Sequence, residues 1–265
     1  MYLNLHYLFN MIRNCMKYYF VAFLFFLLNY KISAHEPIYG HGPHVLFKGG
    51  LAPGFTLQSG LGFVQNEFNL EYGATANWTI GTDIPFSDKR GSYDFDGIRI
   101  KSKYRFYTLY SRGAMLQFAA LSSYKFTKNS TGINVFNLGL TAGREAIDWY
   151  WFASAVYTGK VTNSILKPGN EINYDLTFGY RLNKPNYYKP DLVLFLEFIG
   201  KHQFTSKLNG NVIGQSGGNA WAVAPTLMFT YRNYALRAGV EFGIGESGYI
   251  NRPETNFKVS IEMHI

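Results

Sequence analysis

Short segments in which apolar and polar residues alternate fill most of this chain after residue 34. In residues 171–182, Ile, Tyr, Leu and Phe occupy the even positions, whereas Glu, Asn, Asp, Thr, Gly and Arg occupy the odd ones. Successive side chains of a β-strand point to opposite faces, so this alternation predicts strands with one apolar and one polar face. After residue 34 no apolar run approaches the roughly 20 residues of a membrane-spanning helix. The chain is therefore expected to be all-β.

The alternating segments indicate a transmembrane antiparallel up-and-down β-barrel of about 12 strands. Each is close to the 9–11 or so residues with which a tilted strand crosses a bilayer. A soluble β-sandwich would also alternate, but 21 Tyr, 23 Phe and 4 Trp suit a surface that faces lipid. The predicted strands are 54–63, 67–75, 77–86, 97–108, 115–126, 133–144, 149–159, 171–182, 191–204, 219–231, 234–245 and 255–265.

The first 34 residues are expected to be a cleaved export signal. Lys17 precedes an uncharged, mostly apolar run at 18–30, and the small residues Ser33 and Ala34 follow it. This order is that of a secretory signal peptide, with cleavage predicted after Ala34. The run is too short for a transmembrane helix. Translation can begin at any of three methionines, Met1, Met11 and Met16.

The predicted mature chain has no cysteine and is mildly basic. Cys15 would leave with the signal, so neither a disulfide nor a thiolate metal site is expected. Residues 1–34 hold three of the 25 basic residues and none of the 17 acidic ones, which leaves a net charge of +5. These charges are spread along the chain, which argues against a nucleic-acid partner. No P-loop, Rossmann or His-Glu-x-x-His motif is present, so no cofactor is expected.

Three parts are expected: the signal at 1–34, an N-terminal segment at 35–53 that hangs in the periplasm or plugs the lumen, and the barrel at 54–265. In barrels of this type the periplasmic turns are short and the outer loops are longer. The predicted periplasmic turns are 76, 109–114, 145–148, 183–190 and 232–233. The predicted outer loops are 64–66, 87–96, 127–132, 160–170, 205–218 and 246–254.

The last predicted strand indicates a place in the outer membrane. Phe257, Val259, Ile261 and Met263 alternate with polar residues up to Ile265. This pattern resembles the C-terminal assembly signal of outer-membrane barrels, although that signal usually ends in an aromatic residue. The expected surroundings are therefore outer-membrane lipid and lipopolysaccharide, and the expected assembly partner is the barrel-assembly machinery.

Several short stretches carry a recognisable order of glycine, aromatic and charged residues. They are Gly42-Pro43-His44, Lys48-Gly49-Gly50, Leu70-Glu71-Tyr72-Gly73-Ala74-Thr75, Trp78-Thr79-Ile80-Gly81-Thr82-Asp83-Ile84-Pro85-Phe86, Lys103-Tyr104-Arg105-Phe106 and Leu236-Arg237-Ala238-Gly239-Val240-Glu241-Phe242-Gly243. Together they resemble the transporter family named after the MetA pathway of phenol degradation. The resemblance implies an outer-membrane barrel and carries over no catalytic residue.

The polar faces of the strands supply candidate residues for the lumen. Eight acidic and nine basic positions fall on these faces, so the interior is expected to be either a narrow wet pore or an ion-paired plug. The acidic positions are Glu67, Glu71, Asp83, Glu171, Asp175, Glu197, Glu241 and Glu262. The basic positions are Arg99, Lys101, Lys103, Arg105, Lys125, Arg181, Lys201, Arg237 and Lys258.

Four of the basic positions form a ladder on one predicted strand. Arg99, Lys101, Lys103 and Arg105 are two residues apart and therefore share a face. Like charges in one row repel unless acids or a bound anion face them. The ladder either pairs with acids on neighbouring strands and only fills the lumen, or guides anionic solutes through it.

Histidines give two weaker hypotheses. His35, His41 and His44 cluster near the predicted mature N-terminus, where an amine and imidazoles can bind Cu(II) or Zn(II), but no carboxylate or thiolate at a defined spacing supports them. His202 with Ser206 is the candidate pair for a lipid hydrolase, and no matching acid stands beside it.

The leading function is passive transport of small solutes, anionic and hydrophobic ones included, through an outer-membrane pore. The alternatives are a blocked structural or adhesive barrel that acts through its outer loops, and a lipid-modifying enzyme. The leading prediction assigns no enzymatic activity.

Overall fold

A computed structural model of the chain describes residues 36–89, 92–128, 132–183, 188–248 and 255–265. The predicted signal and His35 lie outside the described residues. No helix in the described ranges is long and apolar enough to span a membrane.

The described residues form an all-β structure, as predicted. The strands are β1 (Leu51–Gly60), β2 (Phe63–Thr75), β3 (Trp78–Lys89), β4 (Ser92–Phe95), β5 (Gly97–Ser111), β6 (Ala114–Thr127), β7 (Asn134–Ala146), β8 (Trp149–Val161), β9 (Leu166–Lys167), β10 (Glu171–Arg181), β11 (Asp191–Gln203), β12 (Lys207–Leu208), β13 (Asn211–Val212), β14 (Gly218–Tyr231), β15 (Tyr234–Gly248) and β16 (Thr255–Met263).

Twelve of these strands close into an antiparallel up-and-down barrel, which confirms the predicted fold class. Each barrel strand pairs with the barrel strands before and after it in the chain, and β1 closes the ring by pairing with both β2 and β16. The short strand β4 extends the end of β3. Strands β9, β12 and β13 form a small separate sheet within the connections on either side of β10 and β11.

The outer face of the barrel is apolar. The outward side chains Ile100, Leu140 and Phe178 are 55%, 60% and 50% exposed, and the inward Thr177 next to Phe178 is fully buried. A water-facing surface this rich in large apolar side chains would associate, whereas lipid accommodates it. The alternation predicted from the sequence is therefore confirmed, with the apolar face outside.

The two ends of the barrel differ in the segments that connect the strands there. One end, called the turn end here, carries the start of β1, the end of β16 and the described connecting residues 76–77, 112–113, 147–148, 182–183, 188–190 and 232–233. The opposite end, called the loop end, carries the described connecting residues 61–62, 96, 128, 132–133, 162–170 and 204–217 together with the β3–β4 hairpin. The predicted orientation places the turn end in the periplasm.

Several predicted boundaries are wrong. Residues 64–66, predicted as a loop, belong to β2, because the tight turn lies at 61–62 and Gly62 adopts the positive φ of 79° that it needs. The predicted loop at 87–96 contains the end of β3 and all of β4. The predicted turn at 109–114 shrinks to 112–113 because β5 continues to Ser111. The first strand begins at Leu51, before the predicted start at 54.

An apolar cluster fills one side of the lumen near the turn end. It consists of Tyr150 and Phe152 on β8, Val193 and Phe195 on β11, and Met228 on β14. The ring of Phe195 lies 6.2 Å from that of Tyr150 and 6.3 Å from that of Phe152. This side of the barrel is therefore a packed core, and space for a solute must lie elsewhere in the lumen.

Candidate transport lumen

The N-terminal segment, residues 36–50, lies inside the barrel. It leaves the lumen at the turn end, where the Gly49 N–H donates to the Gly73 carbonyl at 2.7 Å and the Gly73 N–H donates to the Gly50 carbonyl at 2.9 Å. A Cβ on Gly73 would stand 1.9 Å from the Phe47 carbonyl oxygen, so only glycine allows this approach. The first barrel strand is thus continuous with a segment that runs back into the lumen.

Glu197 on β11 holds the middle of the N-terminal segment. Its fully buried carboxylate accepts hydrogen bonds from the backbone N–H groups of Ile38, Tyr39 and Gly40 at 3.0, 3.0 and 2.8 Å. It also accepts one from the Thr226 hydroxyl at 3.0 Å. A buried carboxylate needs such donors to offset its loss of hydration. Glu197 therefore serves as an anchor for the N-terminal segment.

Lys258 on β16 contacts the same peptide from the other side. Its ammonium donates to the Ile38 carbonyl at 2.8 Å and lies 5.3 Å from the centre of the Tyr39 ring. The Tyr39 hydroxyl lies 3.1 Å from both the Gly239 and the Asn256 carbonyl oxygens, so it donates to the walls β15 and β16. Burial, with a smaller effect of the nearby Glu197 carboxylate, raises the pKa of Tyr39, so the hydroxyl stays protonated and remains a donor.

His44 ties the N-terminal segment to β7 near the apolar cluster. Its Nε2 lies 2.9 Å from a Glu145 carboxylate oxygen, its Nδ1 lies 3.7 Å from Glu36, and its ring meets Phe152 edge-on at 5.8 Å. Burial of the ring lowers its pKa, but Glu145 and Glu36 together outweigh that effect, and the pKa of His44 is raised above its ordinary 6.5. A protonated His44 therefore strengthens the attachment of the segment.

A cavity of about 520 Å³ remains beside the N-terminal segment. The segment itself supplies one wall through residues 36–41, and Arg99 and Lys101 on β5 belong to a second, charged wall. Asn137 on β7 and Thr158 on β8 belong to a third wall of uncharged hydroxyl and amide groups. The cavity is therefore polar and large enough for a small solute.

Acidic residues compensate most of the predicted basic ladder. Arg99 lies 3.3 Å from Glu67 and 3.1 Å from Asp83, and Lys101 lies 2.7 Å from both Glu71 and Asp83. These acids sit on β2 and β3, where the register places Asp83 directly opposite Arg99. Cross-strand pairing thus removes the mutual repulsion expected of an isolated row.

The remaining two ladder residues have different partners. The Lys103 ammonium binds Glu36 of the N-terminal segment at 2.7 Å. Arg105 lies at the turn end, where its guanidinium donates to the Ala76 carbonyl at 2.7 Å and to Asn77, next to a bulge between Arg105 and Tyr107. The four ladder residues therefore each have a different set of partners.

Other predicted lumen residues lie at three levels of the barrel. Arg181 is at the turn end, 3.0 Å from Asp191. Asp175 lies at the level of the segment, where it accepts a hydrogen bond from Ser154 and its carboxylate stands 3.7 Å from His41. Toward the loop end, Glu171 pairs with Lys201 at 3.0 Å and with Lys160 at 2.5 Å.

Two further predicted residues lie on β15. Arg237 forms an ion pair with Glu262, which in turn lies 2.5 Å from the ring of His264. Glu241 is buried, and the Asn256 side-chain amide donates to it at 3.4 Å. Both residues thus contribute to fixed wall contacts between β15 and β16.

The histidines of the two weaker hypotheses lie in different parts of the barrel. His41 and His44 lie inside the barrel, and the described ranges contain no group of three or more His, Cys, Asp or Glu side chains placed to hold a metal ion. The His202 Nδ1 lies 2.8 Å from the Asn219 side-chain oxygen. The Ser206 hydroxyl accepts a hydrogen bond from the Gly169 N–H at 3.1 Å.

Comparisons with known proteins identify the fold. No family model matches the sequence, and no curated protein matches it. An outer membrane channel from Pseudomonas putida F1 superposes with a TM-score of 0.60 at 12% identity, covering 88% of this chain and all (100%) of that one. The NanC porin superposes with a TM-score of 0.52 at 10% identity, covering 80% of this chain and 98% of that one. The chain thus has the fold of these outer-membrane channels, and its apolar outer face is that of a multi-pass membrane β-barrel.

Sequence reasoning left open whether the N-terminal segment plugs the lumen, and it did not single out Glu36 and Tyr39, which contact the walls. Glu36 and Tyr39 precede the first strand and show no alternation, so nothing local indicated their wall contacts. A usable signal lay in the short stretches noted above. Gly73 and Gly239 both occur in them, and both are contact points of the N-terminal segment.

Proposed function

We propose that this chain is a passive channel for small solutes across the outer membrane. The observation that carries the proposal is the polar cavity of about 520 Å³ enclosed by a barrel whose outer face is apolar. A barrel that only anchored its loops would have no need for an unfilled polar space in its interior. Two solved outer-membrane channels share this fold, which supports the proposal of a channel.

The N-terminal segment sets the size limit of the proposed channel. It occupies part of the lumen and is held to the walls by Glu197 and Lys258. Because the remaining cavity is comparable to the pockets that hold single small molecules, the channel is expected to admit monosaccharide-sized solutes and to reject oligosaccharides.

Swelling of liposomes that contain the purified barrel tests the proposal. Liposomes loaded with an impermeant polymer are diluted into isosmotic arabinose, glucose or raffinose, and influx of solute is followed by light scattering. We expect rates that fall from arabinose to raffinose. Liposomes with no protein provide the control, and rates equal to that control for all three sugars would overturn the proposal.

A blocked barrel is the second candidate, and the N-terminal segment in the lumen is the observation that favours it. In that case the loop end would perform the function, with the small sheet of β9, β12 and β13 among its exposed parts. The swelling experiment separates the two candidates, because a blocked barrel admits none of the sugars.

The proposal also covers the family of the chain and its assembly into the membrane. Membership of the MetA-pathway family rests on the short stretches quoted above. Recognition by the barrel-assembly machinery rests on the alternating β16, whose outward Phe257 and Ile261 are exposed to lipid. The proposal assigns no reaction to the chain.

A further inference from the structure

The cations around the cavity differ in their partners. Arg99, Lys101, Lys103 and Arg237 each have a carboxylate within salt-bridge distance. Lys258 lines the same cavity, but no carboxylate oxygen of the described residues lies at that distance from its ammonium. Lys258 is therefore the cation on which an incoming anion meets the least competition.

The present acceptor of Lys258 is a neutral one. Its ammonium donates to the Ile38 carbonyl at 2.8 Å, and the same peptide region gives three N–H groups to Glu197. A hydrogen bond between an ammonium and a carboxylate is stronger than one to a neutral carbonyl. An anion that reaches Lys258 from the cavity therefore offers its ammonium a stronger acceptor than the Ile38 carbonyl.

Ser260 supplies a second group for the same anion. It lies two residues beyond Lys258 on the inward face of β16, so the two Cβ atoms are about 7 Å apart. Ser260 is 8% exposed and lines the cavity, and its hydroxyl has no hydrogen-bond partner among the described residues. A buried hydroxyl without a partner is unfavourable and is satisfied when a ligand oxygen accepts its hydrogen.

We propose that Lys258 and Ser260 form a binding site for the carboxylate of a small monoanionic solute, and that its occupation releases the N-terminal segment. When the solute binds, the Lys258 ammonium no longer donates to the Ile38 carbonyl, and one of the contacts that hold residues 38–40 is lost. Since a carboxylate held by both Lys258 and Ser260 draws the ammonium along the strand and away from the Ile38 carbonyl, binding of the anion and docking of the segment each weaken the other. The inference rests on the proposed channel function and names the class of solute that opens it.

Labelling of a buried position tests the release directly. Ile38 is 7% exposed, and the predicted mature chain has no cysteine, so Ile38→Cys gives a single reporter for a maleimide reagent. Sodium acetate is the probe, compared with sodium chloride at equal ionic strength. We expect acetate to raise the labelling rate about fivefold or more, the lower end of typical coupling between two sites. Leu61→Cys at the exposed loop end corrects for salt effects on the reagent.

Three further substitutions, each made in the Ile38→Cys chain, assign the effect to the site. Lys258→Gln should raise the labelling rate without acetate and abolish the response to it. Ser260→Ala removes one hydroxyl and should reduce the acetate-induced rise in labelling while the barrel folds normally. Lys101→Gln is the matched control, since it removes another cavity cation that already has carboxylate partners, and it should leave the response intact.

The outcomes separate this inference from the channel proposal. Labelling requires no conduction, so a barrel that responds to acetate but admits no sugar retains the anion site and loses the channel function. A barrel that admits sugars but shows no acetate response, or the same response in Lys258→Gln and Ser260→Ala, overturns the anion site alone. Heat-modifiable migration on gels confirms that each variant is folded.

Discussion

Glu197 and Lys258 hold one peptide segment from its two sides. The carboxylate on β11 accepts the N–H groups of residues 38–40, and the ammonium on β16 donates to the carbonyl of Ile38. The two charges thus bind the two complementary groups of the backbone, and both lie within the lumen. This arrangement fixes the N-terminal segment without any side-chain pairing that sequence patterns would reveal.

Neutralising Glu197 should loosen the N-terminal segment. Hydrogen bonds to a charged group contribute roughly 1.5–3 kcal/mol, and Glu197→Gln weakens several of them. We therefore expect the labelling rate of Ile38→Cys to rise about tenfold or more in Glu197→Gln. Glu171→Gln is the control, because this carboxylate pairs with Lys160 and Lys201 on the walls. Equal rates in the two variants would show that Glu197 does not anchor the segment.

A disulfide should lock the segment in place. A Cβ built on Gly40 lies 2.8 Å from the Asp175 carboxyl carbon, so cysteines at these positions fall near the Cβ separation of about 3.8 Å that a disulfide requires. Because release of the segment widens the proposed path, acetate is expected to raise the conductance of the unmodified barrel. Oxidised Gly40→Cys/Asp175→Cys protein should lose that rise. Adding dithiothreitol should restore that rise in the same membrane. A rise that persists in the oxidised protein would place the acetate effect outside the segment.

Raising the pH should loosen the segment through His44. The pKa of His44 is raised in the folded protein, because Glu145 and Glu36 outweigh the opposing effect of burial. Its stabilising contribution is therefore fully present below the ordinary pKa of about 6.5 and is lost as pH rises through the higher folded-state value. A spin label attached at Ile38→Cys should therefore become more mobile as the pH rises from about 6.5 through the folded-state pKa of His44.

The matched variant for this pH effect is His44→Gln, which cannot gain a proton. Its spin-label mobility should be high and nearly independent of pH. If its mobility changes with pH as in the His44 protein, a different group controls the attachment.

Arginine on the outer face should destabilise the barrel far more than arginine in the lumen. Phe178→Arg should cost roughly 2–4 kcal/mol of unfolding free energy near the middle of the bilayer. Asn173→Arg lies on the cavity side of the same strand and should cost much less. Urea unfolding in lipid vesicles measures both, and similar losses would contradict the assignment of lipid-facing and lumen-facing sides.

Alternation made the barrel predictable, because a strand between lipid and a wet lumen must change polarity at every residue. In residues 171–182 this pattern identified Phe178 as lipid-facing and Asp175 as lumen-facing, as the structure has them. Strand ends were less predictable. Residues 64–66 and 92–95 belong to β2 and β4, although the sequence predicted them as loops.

The contents of the lumen depended on register, which alternation does not determine. Asp83 neutralises Arg99 and Lys101 because β3 and β5 pair in one particular offset. A shift of two residues would keep every face correct and change every ion pair. The sequence left open whether the N-terminal segment enters the lumen, since its wall partners, such as Glu197, Lys258 and Glu145, lie far along the chain.

Conductance across a planar bilayer tests the channel account most directly. The predicted mature chain and a variant lacking residues 36–46 are compared in the same salt, after heat-modifiable migration shows that both are folded. The account predicts a small, steady conductance for the full chain and a several-fold larger one for the shortened chain, because the deletion widens the same path. A shortened barrel that stays closed, or that conducts no better than the full chain, would contradict the account.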